Sequence, residues 1–533
     1  MNPFSMRLLP VWLLVCMNTV GCTSVREYVG NGFKVGPNYK RPAVPVADEW
    51  IDSQDPKVSS ESANLQSWWL VFQDPILDNL IQTSYQQNLT LREVGFRVAE
   101  AQAQRGVVAG QLFPQSQELL GEFNRFDRST QTALFPQLPP GSPFSNLGAT
   151  RYNNWRIGSS LAWELDFWGR YRRAIDAADA RLDASVEDYD DALVLLIGEV
   201  ASTYIELRTF DQRLMVARQN AELQNESVRV AQARFDAMAV DSELDTPQAK
   251  SNLGNTLAAV EALEISRRRS QNRLAVLMGV PPHDLTYLLG DSAEIPVPPD
   301  VVTAGVPAEL IWKRPDVRRA ERLVAAQSEE IGIAQAELYP HISINGMLSW
   351  EAGRFSDIFK GGAFGGSIGP SFRWNVLNYG RLLNNIRVQD ARFQQLIANY
   401  QQTVLTANEE AENAIVAYLH FADQVRVLEE SARQAMDAER VAQIKYREGE
   451  IDFNRLFTVQ QLLLAQQESL AGARGNAAQS LVDLYRALGG GWEIRLDSAD
   501  AEIVVLGEDT NPIPLPEPAM SLVPLVPGIQ EDE

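Results

Sequence analysis

The sequence repeats one short pattern at a fixed distance. Residues 163–170 read WELDFWGR, and residues 374–381, which lie 211 residues later (374 against 163), read WNVLNYGR. Further matches occur at the same offset: DAR at 179–181 and 390–392, and RVAQ at 229–232 and 440–443. One offset shared by several matches indicates a duplicated architecture, with two halves at roughly 60–280 and 300–490.

Four segments alternate apolar and polar residues, which is the pattern of a strand with one buried face. They span 116–127, 154–167, 341–350 and 367–376. The apolar residues of one face are Leu119, Phe123, Trp155, Ile157, Leu161, Trp163, Leu165, Phe167, Ile342, Ile344, Leu348, Trp350, Ile368, Phe372, Trp374 and Val376. The pattern predicts two hairpins, one per repeat, with loops at 128–153 and 351–366. A soluble antiparallel sheet alternates in the same way, but aromatic residues near the strand ends favour a lipid-facing barrel with a wet lumen.

Each predicted hairpin is followed by a long stretch in which mostly apolar residues recur at every seventh position. In the first half these positions are Leu193, Val200, Leu207, Leu214, Ala221, Val228 and Phe235. The matching positions of the second half are Val404, Ala411, Tyr418, Val425, Ala432, Glu439 and Tyr446, where Glu439 is the charged exception. The repeat predicts helices packed side by side, and a helix from 170 to 235 would be roughly 100 Å long. A fibrous coiled coil would explain the helices but not the strands between them.

Four strands are too few to close a membrane barrel, since the smallest bacterial barrels have eight. An open sheet edge in lipid would leave backbone N–H and C=O groups without partners. The chain is therefore expected to associate with copies of itself. Two copies would give eight strands and a filled interior, whereas three would give twelve strands and a water-filled lumen. A role as a conduit favours three copies.

The N-terminus has the features of an export signal. Arg7 precedes an apolar run at Leu8–Met17, which is too short to span a bilayer. Residues 19–22 read TVGC and resemble a bacterial lipobox, although threonine stands where leucine is usual. Cleavage there would remove a signal peptide at 1–21 and leave Cys22 as an N-terminus anchored by acyl chains such as palmitate. An ordinary signal peptide with an incidental cysteine is the alternative.

The composition and the remaining motifs argue against several kinds of function. The net charge is −22, whereas a nucleic-acid partner needs clustered Lys and Arg. The sequence has no phosphate-binding loop and no metal-spaced cluster of Cys and His, so no cofactor and no metal are predicted. Residues 365–369 read GGSIG and match the G-x-S-x-G of hydrolases, but that motif needs a strand before it and a helix after it. Here a Gly-rich loop precedes the motif and a strand follows, so we do not expect an enzyme.

Several short strings resemble one protein family. In the first half they are VGPNY at 35–39 with Pro42, WW at 68–69 with Phe72, and DP at 74–75 with Leu77. In the second half they are RPDV at 314–317, AE at 320–321, IG at 331–332 and YP at 339–340. Together they resemble the TolC-type outer membrane factors, in the lipoprotein branch associated with RND-type multidrug and metal efflux.

The resemblance implies a mixed α and β membrane protein that works as a homotrimer. A twelve-stranded β-barrel would sit in the outer membrane of a diderm bacterium, in contact with its lipid, and a twelve-helix α-barrel would continue it through the periplasm. The tunnel would export drugs, metals or similar small molecules, received from an inner-membrane pump through a periplasmic adaptor. Gly169 and Gly380 would allow the turn where a membrane strand passes into a tunnel helix. A type I secretion component is the nearest alternative, and a coiled-coil surface protein or a general porin is more distant.

The predicted segments follow one another in a simple order. A signal peptide at 1–21 is followed by a lipid-anchored extended segment at 22–65. The first repeat, 66–290, contains helices, a β-hairpin at 116–167 and a long helical hairpin at 170–279. The second repeat, 300–490, contains a helix at 315–337, a β-hairpin at 341–377 and a long helical hairpin at 380–488. A proline-rich, irregular tail is predicted at 491–533.

The ends of the helical hairpins carry the candidate site. Residues 446–458 with Gln460 match the Y-x-x-G…L-x-x-x-Q tip pattern of the family, which implies a tunnel entrance, gate and adaptor-docking site. The predicted site residues are Tyr446, Gly449, Glu450, Asp452, Arg455 and Thr458, with Asp241, Glu243 and Asp245 of the first hairpin. Relatives often have a carboxylate where Thr458 stands. Threefold repetition of the acidic residues would make a mouth that attracts cations, unless they are ordinary solvated turn residues.

Overall fold

The computed structural model describes residues 24–61, 64–127, 151–236, 243–290 and 294–496. The chain divides into two compact units. Unit one combines the residues up to Pro42 with Glu100–Asp183 and Glu321–Ala398, and unit two combines Ala43–Ala99, Ala184–Ala320 and the residues from Asn399 onward. No helix in these described ranges is both long enough and apolar enough to cross a membrane.

Long helices dominate the described chain. The α-helices are α1 (Val25–Gly30), α2 (Pro75–Gln87), α3 (Leu89–Gly110), α4 (Arg170–Asp236), α5 (Asp245–Leu277), α6 (Thr286–Leu289), α7 (Leu310–Lys313), α8 (Pro315–Ala336), α9 (Arg381–Glu448) and α10 (Phe453–Ala487). The strands are β1 (Val58–Ser59), β2 (Ser116–Asp127), β3 (Arg151–Leu165), β4 (Val302–Thr303), β5 (His341–Ala352) and β6 (Phe364–Arg373). Short 3-10 helices lie at Trp68–Phe72, Pro307–Glu309, Phe355–Asp357, Gly361–Ala363 and Trp492–Leu496. The helix predicted from 170 to 235 is confirmed by α4.

In unit one, four antiparallel strands form a single sheet in the order β2-β3-β5-β6. The two predicted hairpins are present, and β3 also pairs with β5. The register brings apolar residues of neighbouring strands opposite one another, as Trp163 with Ile344. Polar residues are paired in the same way, as Arg156 with Glu351. The alternation in the sequence therefore corresponds to one apolar face and one polar face that continue across all four strands.

The last strand of the sheet begins and ends earlier than the sequence predicts. β6 covers Phe364–Arg373 rather than 367–376, and its final residue pairs with His341, the first residue of β5. Pro340, which precedes β5, has no N–H to extend the ladder, so the chain leaves the sheet after Arg373. The G-x-S-x-G residues 365–369 lie inside this strand, which does not provide the strand-to-helix turn of a hydrolase nucleophile.

Each half passes from sheet to long helix through a glycine with a left-handed backbone. Gly169 and Gly380 both have a φ of +79°, and each directly precedes its helix, α4 or α9. A residue with a side chain is disfavoured in this conformation. Before Gly169, β3 ends at Leu165, two residues earlier than predicted, because Asp166 accepts a hydrogen bond from the N–H of Tyr171 (3.0 Å) at the start of α4.

The VGPNY string of the N-terminal segment encloses one fully buried guanidinium in unit one. Arg173 of α4 donates hydrogen bonds to the carbonyl oxygens of Val35 (2.5 Å) and Gly36 (2.8 Å) and pairs with Glu329 of α8. Gly36 has a φ of +91°, and a Cβ there would lie 2.6 Å from the Cα of Gly332. Gly36 of the VGPNY string and Gly332 of the IG string therefore let the backbone segments approach closely around the buried, paired Arg173.

In unit two, the RPDV string anchors the start of α8. Arg314 forms a two-pronged pair with Asp316 (3.0 and 2.7 Å), donates to the carbonyl oxygen of Ala487 (2.7 Å) and pairs with Glu410 (2.8 Å). Gly489 has a φ of +78°, and a Cβ there would lie 2.9 Å from the Cα of Arg314. The RPDV string and Gly489 therefore have a structural role, which is to fix the start of α8 against the end of α10.

Most of the predicted seven-residue positions of the long helices are buried in unit two. The buried ones are Leu193, Val200, Leu207, Leu214, Ala221, Val404, Ala411, Tyr418, Ala432, Glu439 and Tyr446. Val228 and Val425 are half-buried. Phe235 is 45% exposed, so the prediction is wrong there. Phe235 is the penultimate residue of α4 as described, at the end of the seam.

Several short elements were not predicted. β1 and β4 pair in parallel, α1 lies in the segment predicted to be extended, and a 3-10 helix at Trp492–Leu496 replaces the start of the irregular tail. In that helix, Arg495 makes a two-pronged pair with the buried Asp190 (2.6 and 3.0 Å). Such elements depend on contacts with distant residues and have no periodic signal in the sequence. The predictions for Cys22, residues 128–150, Asp241 and the tail from 497 onward lie outside the described residues.

Candidate functional site

The candidate site comprises the ends of two helical hairpins in unit two. The first hairpin joins α4 to α5, and the second joins α9 to α10. In the second, Gly449 has a φ of +80°, and its N–H donates to the carbonyl oxygen of Tyr446 (3.1 Å). The N–H of Glu450 donates to the carbonyl oxygen of Lys445 (2.8 Å), so the last turn of α9 is closed by backbone hydrogen bonds. Glycine provides the left-handed conformation that this turn needs.

An apolar cluster joins the four helices next to these turns. We call it the tip cluster, and its buried members are Ala231, Ala249, Ala442, Tyr446, Phe453 and Leu456. They come from α4, α5, α9 and α10, and the rings of Tyr446 and Phe453 meet edge to face at 5.7 Å. Two residues of the predicted tip pattern, Tyr446 and Leu456, are therefore core residues of the hairpin ends rather than surface groups.

Tyr446 links the two hairpins through polar contacts as well. Its hydroxyl donates a hydrogen bond to Asp245 of α5 (3.0 Å). The guanidinium of Arg234 lies 4.7 Å from the centre of the Tyr446 ring and donates to its carbonyl oxygen (3.2 Å). Burial, together with the charge of Asp245, raises the pKa of Tyr446, so the phenol keeps its proton and remains a donor.

The other residues predicted at the site contact groups within their own hairpin or are exposed. The carboxylate of Asp452 accepts a hydrogen bond from the N–H of Arg455 (2.8 Å) and caps α10, and Glu450 pairs with Lys445 at 3.3 Å. The hydroxyl of Thr458 donates to the carbonyl oxygen of Asn454 within its own helix, at 2.9 Å. Glu243 and the side chain of Arg455 are exposed.

The net charge of the two turns differs. Residues 443–458 contain three acidic and three basic side chains: Glu448, Glu450, Asp452, Lys445, Arg447 and Arg455. Residues 234–250 contain Asp236, Asp241, Glu243 and Asp245 against Arg234 and Lys250. Any excess of negative charge at the hairpin ends therefore comes from the first turn, and the second turn is balanced.

Two features of the site were not predicted from the sequence. Arg234 contacts Tyr446, and the signal available was its place in the last turn of α4, where a cation is favoured by the helix dipole. Gln460 belongs to the family's tip pattern, which assigns it no role. Its Nε2 donates to the hydroxyl of Ser227 (2.9 Å) and to the carboxylate of Glu439 (3.3 Å), which forms a buried polar contact between α4, α9 and α10.

The polar face of the sheet in unit one is the second candidate functional surface. Arg156 of β3 lies between carboxylates of the two neighbouring strands, Glu122 at 3.4 Å and Glu351 at 2.6 Å. At the other end of the sheet, the Nδ1 of His341 lies 2.8 Å from the carboxylate of Glu164. A face with this composition requires water or further polar groups against it.

No metal-binding arrangement occurs in the described ranges of the chain. There, no group of three or more His, Cys, Asp or Glu side chains is placed to hold a metal ion. The hairpin ends are joined by one apolar cluster, and the sheet has one apolar face and one polar face.

Comparison with known proteins gives a consistent result. Nodulation protein T of Rhizobium leguminosarum bv. trifolii is 28% identical over 472 residues, which are 87% of this chain and 95% of the relative. The probable efflux pump outer membrane protein TtgC of Pseudomonas putida is 28% identical over 496 residues, which are 90% of this chain and 97% of the relative. The solved structure of the outer-membrane channel OprN has a TM-score of 0.79 and 31% identity, and covers 86% of this chain and 99% of that chain.

The family model described as outer membrane efflux protein matches residues 80–280 and 306–490. The two matched ranges begin within α2 and near the 3-10 helix at Pro307–Glu309, so each contains one β-hairpin and one helical hairpin. The relatives are channel proteins and not enzymes. The chain belongs to the outer membrane efflux protein family.

Proposed function

We propose that three copies of this chain form a channel through the outer membrane, which exports small molecules received from an inner-membrane pump through a periplasmic adaptor. The observation that carries the proposal is the four-stranded sheet of unit one, which has one apolar face, one polar face and two edges. Membership of the efflux protein family supports a location in the outer membrane and transport out of the cell. The similarity to TtgC, which is named for an efflux pump, supports a pump as the source of the exported molecule.

The two edge strands of the sheet are the reason why we propose an assembly of three copies. β2 and β6 are the edge strands, and apolar side chains on both of them are exposed in the single chain, among them Leu119 and Ile368. Lipid accommodates these side chains but offers no partner to unpaired N–H and C=O groups. A ring in which β6 of each copy pairs with β2 of the next would have no edge. Three copies would give twelve strands with an interior wide enough for water.

In such a ring, the polar face of the sheet would line the interior. The row Glu122–Arg156–Glu351 and the pair His341–Glu164 would then be hydrated, while the apolar face would contact lipid. The twelve long helices of the trimer would continue the tunnel on the periplasmic side. Cys22 would carry the lipid that anchors the N-terminal segment, without being required for the sheet to insert.

The hairpin ends would form the gate and the surface that meets the adaptor. The hydrogen bond from Tyr446 to Asp245 and the tip cluster hold the two hairpins together, which supports a closed state as the resting arrangement. Opening would separate or rotate these helices. Residues at the turns, including Glu243, Glu450, Asp452, Arg455 and Thr458, would be available to the adaptor.

The proposal is tested by the mass and conductance of the purified protein. Light scattering of the detergent-solubilised, full-length protein should give three chains per particle, and the particle should conduct ions in planar bilayers. Unheated and heated samples compared on a denaturing gel provide the control, since a closed barrel resists detergent until it is heated. A monomer that inserts into bilayers with its sheet intact would contradict the trimer.

A further inference from the structure

Glu439 is the charged position in the repeated seam of α9, and the structure buries it, with only 6% of its surface exposed. It lies two turns before Tyr446, in the same seven-residue register. Its carboxylate accepts the hydrogen bond from Gln460 of α10, which also donates to Ser227 of α4. The Ser227 hydroxyl lies 3.3 Å from the Oε1 of Gln443. Glu439 is buried within a single chain, so its burial does not depend on association with other copies.

Several buried polar atoms near Glu439 have unused hydrogen-bonding capacity. We call the buried Gln224, Ser227, Glu439 and Gln460, together with the half-buried Gln443, the polar layer. Gln224 lies one turn before Ser227 on α4 and is 1% exposed, and neither its Nε2 nor its Oε1 has a partner among the described residues. The Oε1 of Gln460 is also buried there without a donor. Buried polar atoms without partners destabilise the packed arrangement relative to one that admits water.

No cation compensates the carboxylate of Glu439 within the described part of the chain. The basic residues nearest in sequence pair elsewhere: Arg440 with Asp437 (3.5 Å), and Arg229 and Arg447 with Glu226 (3.0 and 3.6 Å). The groups that face Glu439 from the helices packed against it are the neutral Gln460 and, through it, Ser227. Burial raises the pKa of Glu439, and the hydrogen bond from Gln460 offsets only part of that effect.

We propose that Glu439 is a proton-controlled element of the packing between α4, α9 and α10, so that the hairpin ends stay packed when it is protonated and loosen when it is ionised. The inference rests on the proposed function, because loosening near the tip cluster would open the channel. A protonated carboxyl is neutral and offers an O–H donor to a layer that contains unpartnered oxygens. An ionised carboxyl is stabilised by the water that a loosened arrangement admits.

The direction of the pH dependence follows from the difference between the pKa values of Glu439 in the packed and the loosened states. The pKa of Glu439 is higher in the packed state than in a loosened, hydrated state, so the packed state binds the proton more tightly. Raising the pH therefore shifts the population toward the loosened state. The ratio of the two states changes about tenfold for each unit by which the two pKa values differ.

The test compares full-length wild-type protein, Glu439→Gln and Asp437→Asn in planar bilayers between about pH 5 and about pH 8. The open fraction of the wild type should rise with pH, while Glu439→Gln, which is neutral throughout, should stay near the low-pH value. Asp437 is an exposed carboxylate two residues away on the same helix, so Asp437→Asn should behave like the wild type. The same pH response in wild type and Glu439→Gln would overturn the inference and leave the proposed channel function intact.

A second measurement does not depend on conductance. The melting temperature of the helices, followed by circular dichroism in detergent, should be similar for wild type and Glu439→Gln at low pH. It should become higher for Glu439→Gln as the pH rises, because only the wild type loses stability when the buried carboxyl ionises. A difference in melting temperature that does not change with pH would overturn the inference. If none of the preparations conducts ions, the proposed function fails, and this measurement still decides the role of Glu439.

Discussion

At the scale of single residues, Tyr446 combines three contacts that come from different helices. Its ring packs in the tip cluster, its hydroxyl donates to Asp245, and Arg234 lies over its ring. A hydrogen bond to a charged group typically contributes about 1.5–3 kcal/mol, and it is stronger when both partners are sheltered from water. A single side chain can therefore decide how tightly the two hairpins are joined.

Replacing Tyr446 by Phe should make the channel open more often. Phe keeps the ring in the tip cluster but removes the donor to Asp245, which costs about 1.5–3 kcal/mol of contact between the hairpins. Single-channel recording of the reconstituted protein measures the open fraction. Tyr287→Phe is the matched control, because Tyr287 is 78% exposed and lies outside the tip cluster. An open fraction that is unchanged in Tyr446→Phe would show that this hydrogen bond does not hold the gate.

At the scale of secondary-structure elements, the two glycines before α4 and α9 have the same backbone conformation but different surroundings. A Cβ on Gly169 would lie 2.5 Å from the Cγ of Lys34, whereas on Gly380 the nearest atom, the Nδ2 of Asn384, would be 3.7 Å away. The first junction is therefore covered by the N-terminal segment of unit one, and the second has space around it.

Gly169→Ala should be more destabilising than Gly380→Ala. Both variants have the penalty of a side chain in the left-handed region, roughly 1–2 kcal/mol. Only Gly169→Ala adds a clash, which requires Lys34 and its segment to shift. The melting temperatures of the two purified variants give the comparison, and each variant serves as the control for the other. Equal losses would show that the N-terminal segment does not pack against Gly169 in the assembled protein.

The sheet gives a second prediction at this scale, because adjacent residues of β6 lie on opposite faces. Ile368, in the middle of β6, is on the apolar face and is 77% exposed, and Ser367 is on the polar face opposite Met347. Ile368→Arg should cost about 2–4 kcal/mol, the penalty for a cation near the middle of the bilayer, whereas Ser367→Arg should be tolerated. Refolding into lipid vesicles across a urea series measures the difference. Equal losses for the two variants would mean that the faces are assigned wrongly.

The periodic parts of the fold could be predicted from the sequence, and the parts that depend on distant residues could not. The two-residue and seven-residue repeats predicted the strands of the sheet and most of the buried seam, but not the burial of the charged Glu439. The end of β6 depends on Pro340, which directly precedes the partner strand β5, and no pattern within β6 contains that information. At the site, the turn at Gly449 could be predicted, but the roles of Arg234 and Gln460 arise from contacts with helices far away in the sequence.

At the scale of the whole molecule, the two edge strands of the sheet have a consequence for how the protein is made. Because β2 and β6 are edge strands in the single chain, the proposed channel implies that a chain alone has no stable place in the bilayer, and that insertion accompanies or follows assembly. Under that proposal, newly exported chains would be aggregation-prone until they meet others, and their maturation would depend steeply on local concentration. A chain with a normal β2 but a defective β6 would join two normal chains and prevent closure of the ring. Mixed expression of such a chain would consequently inactivate normal copies as well as itself.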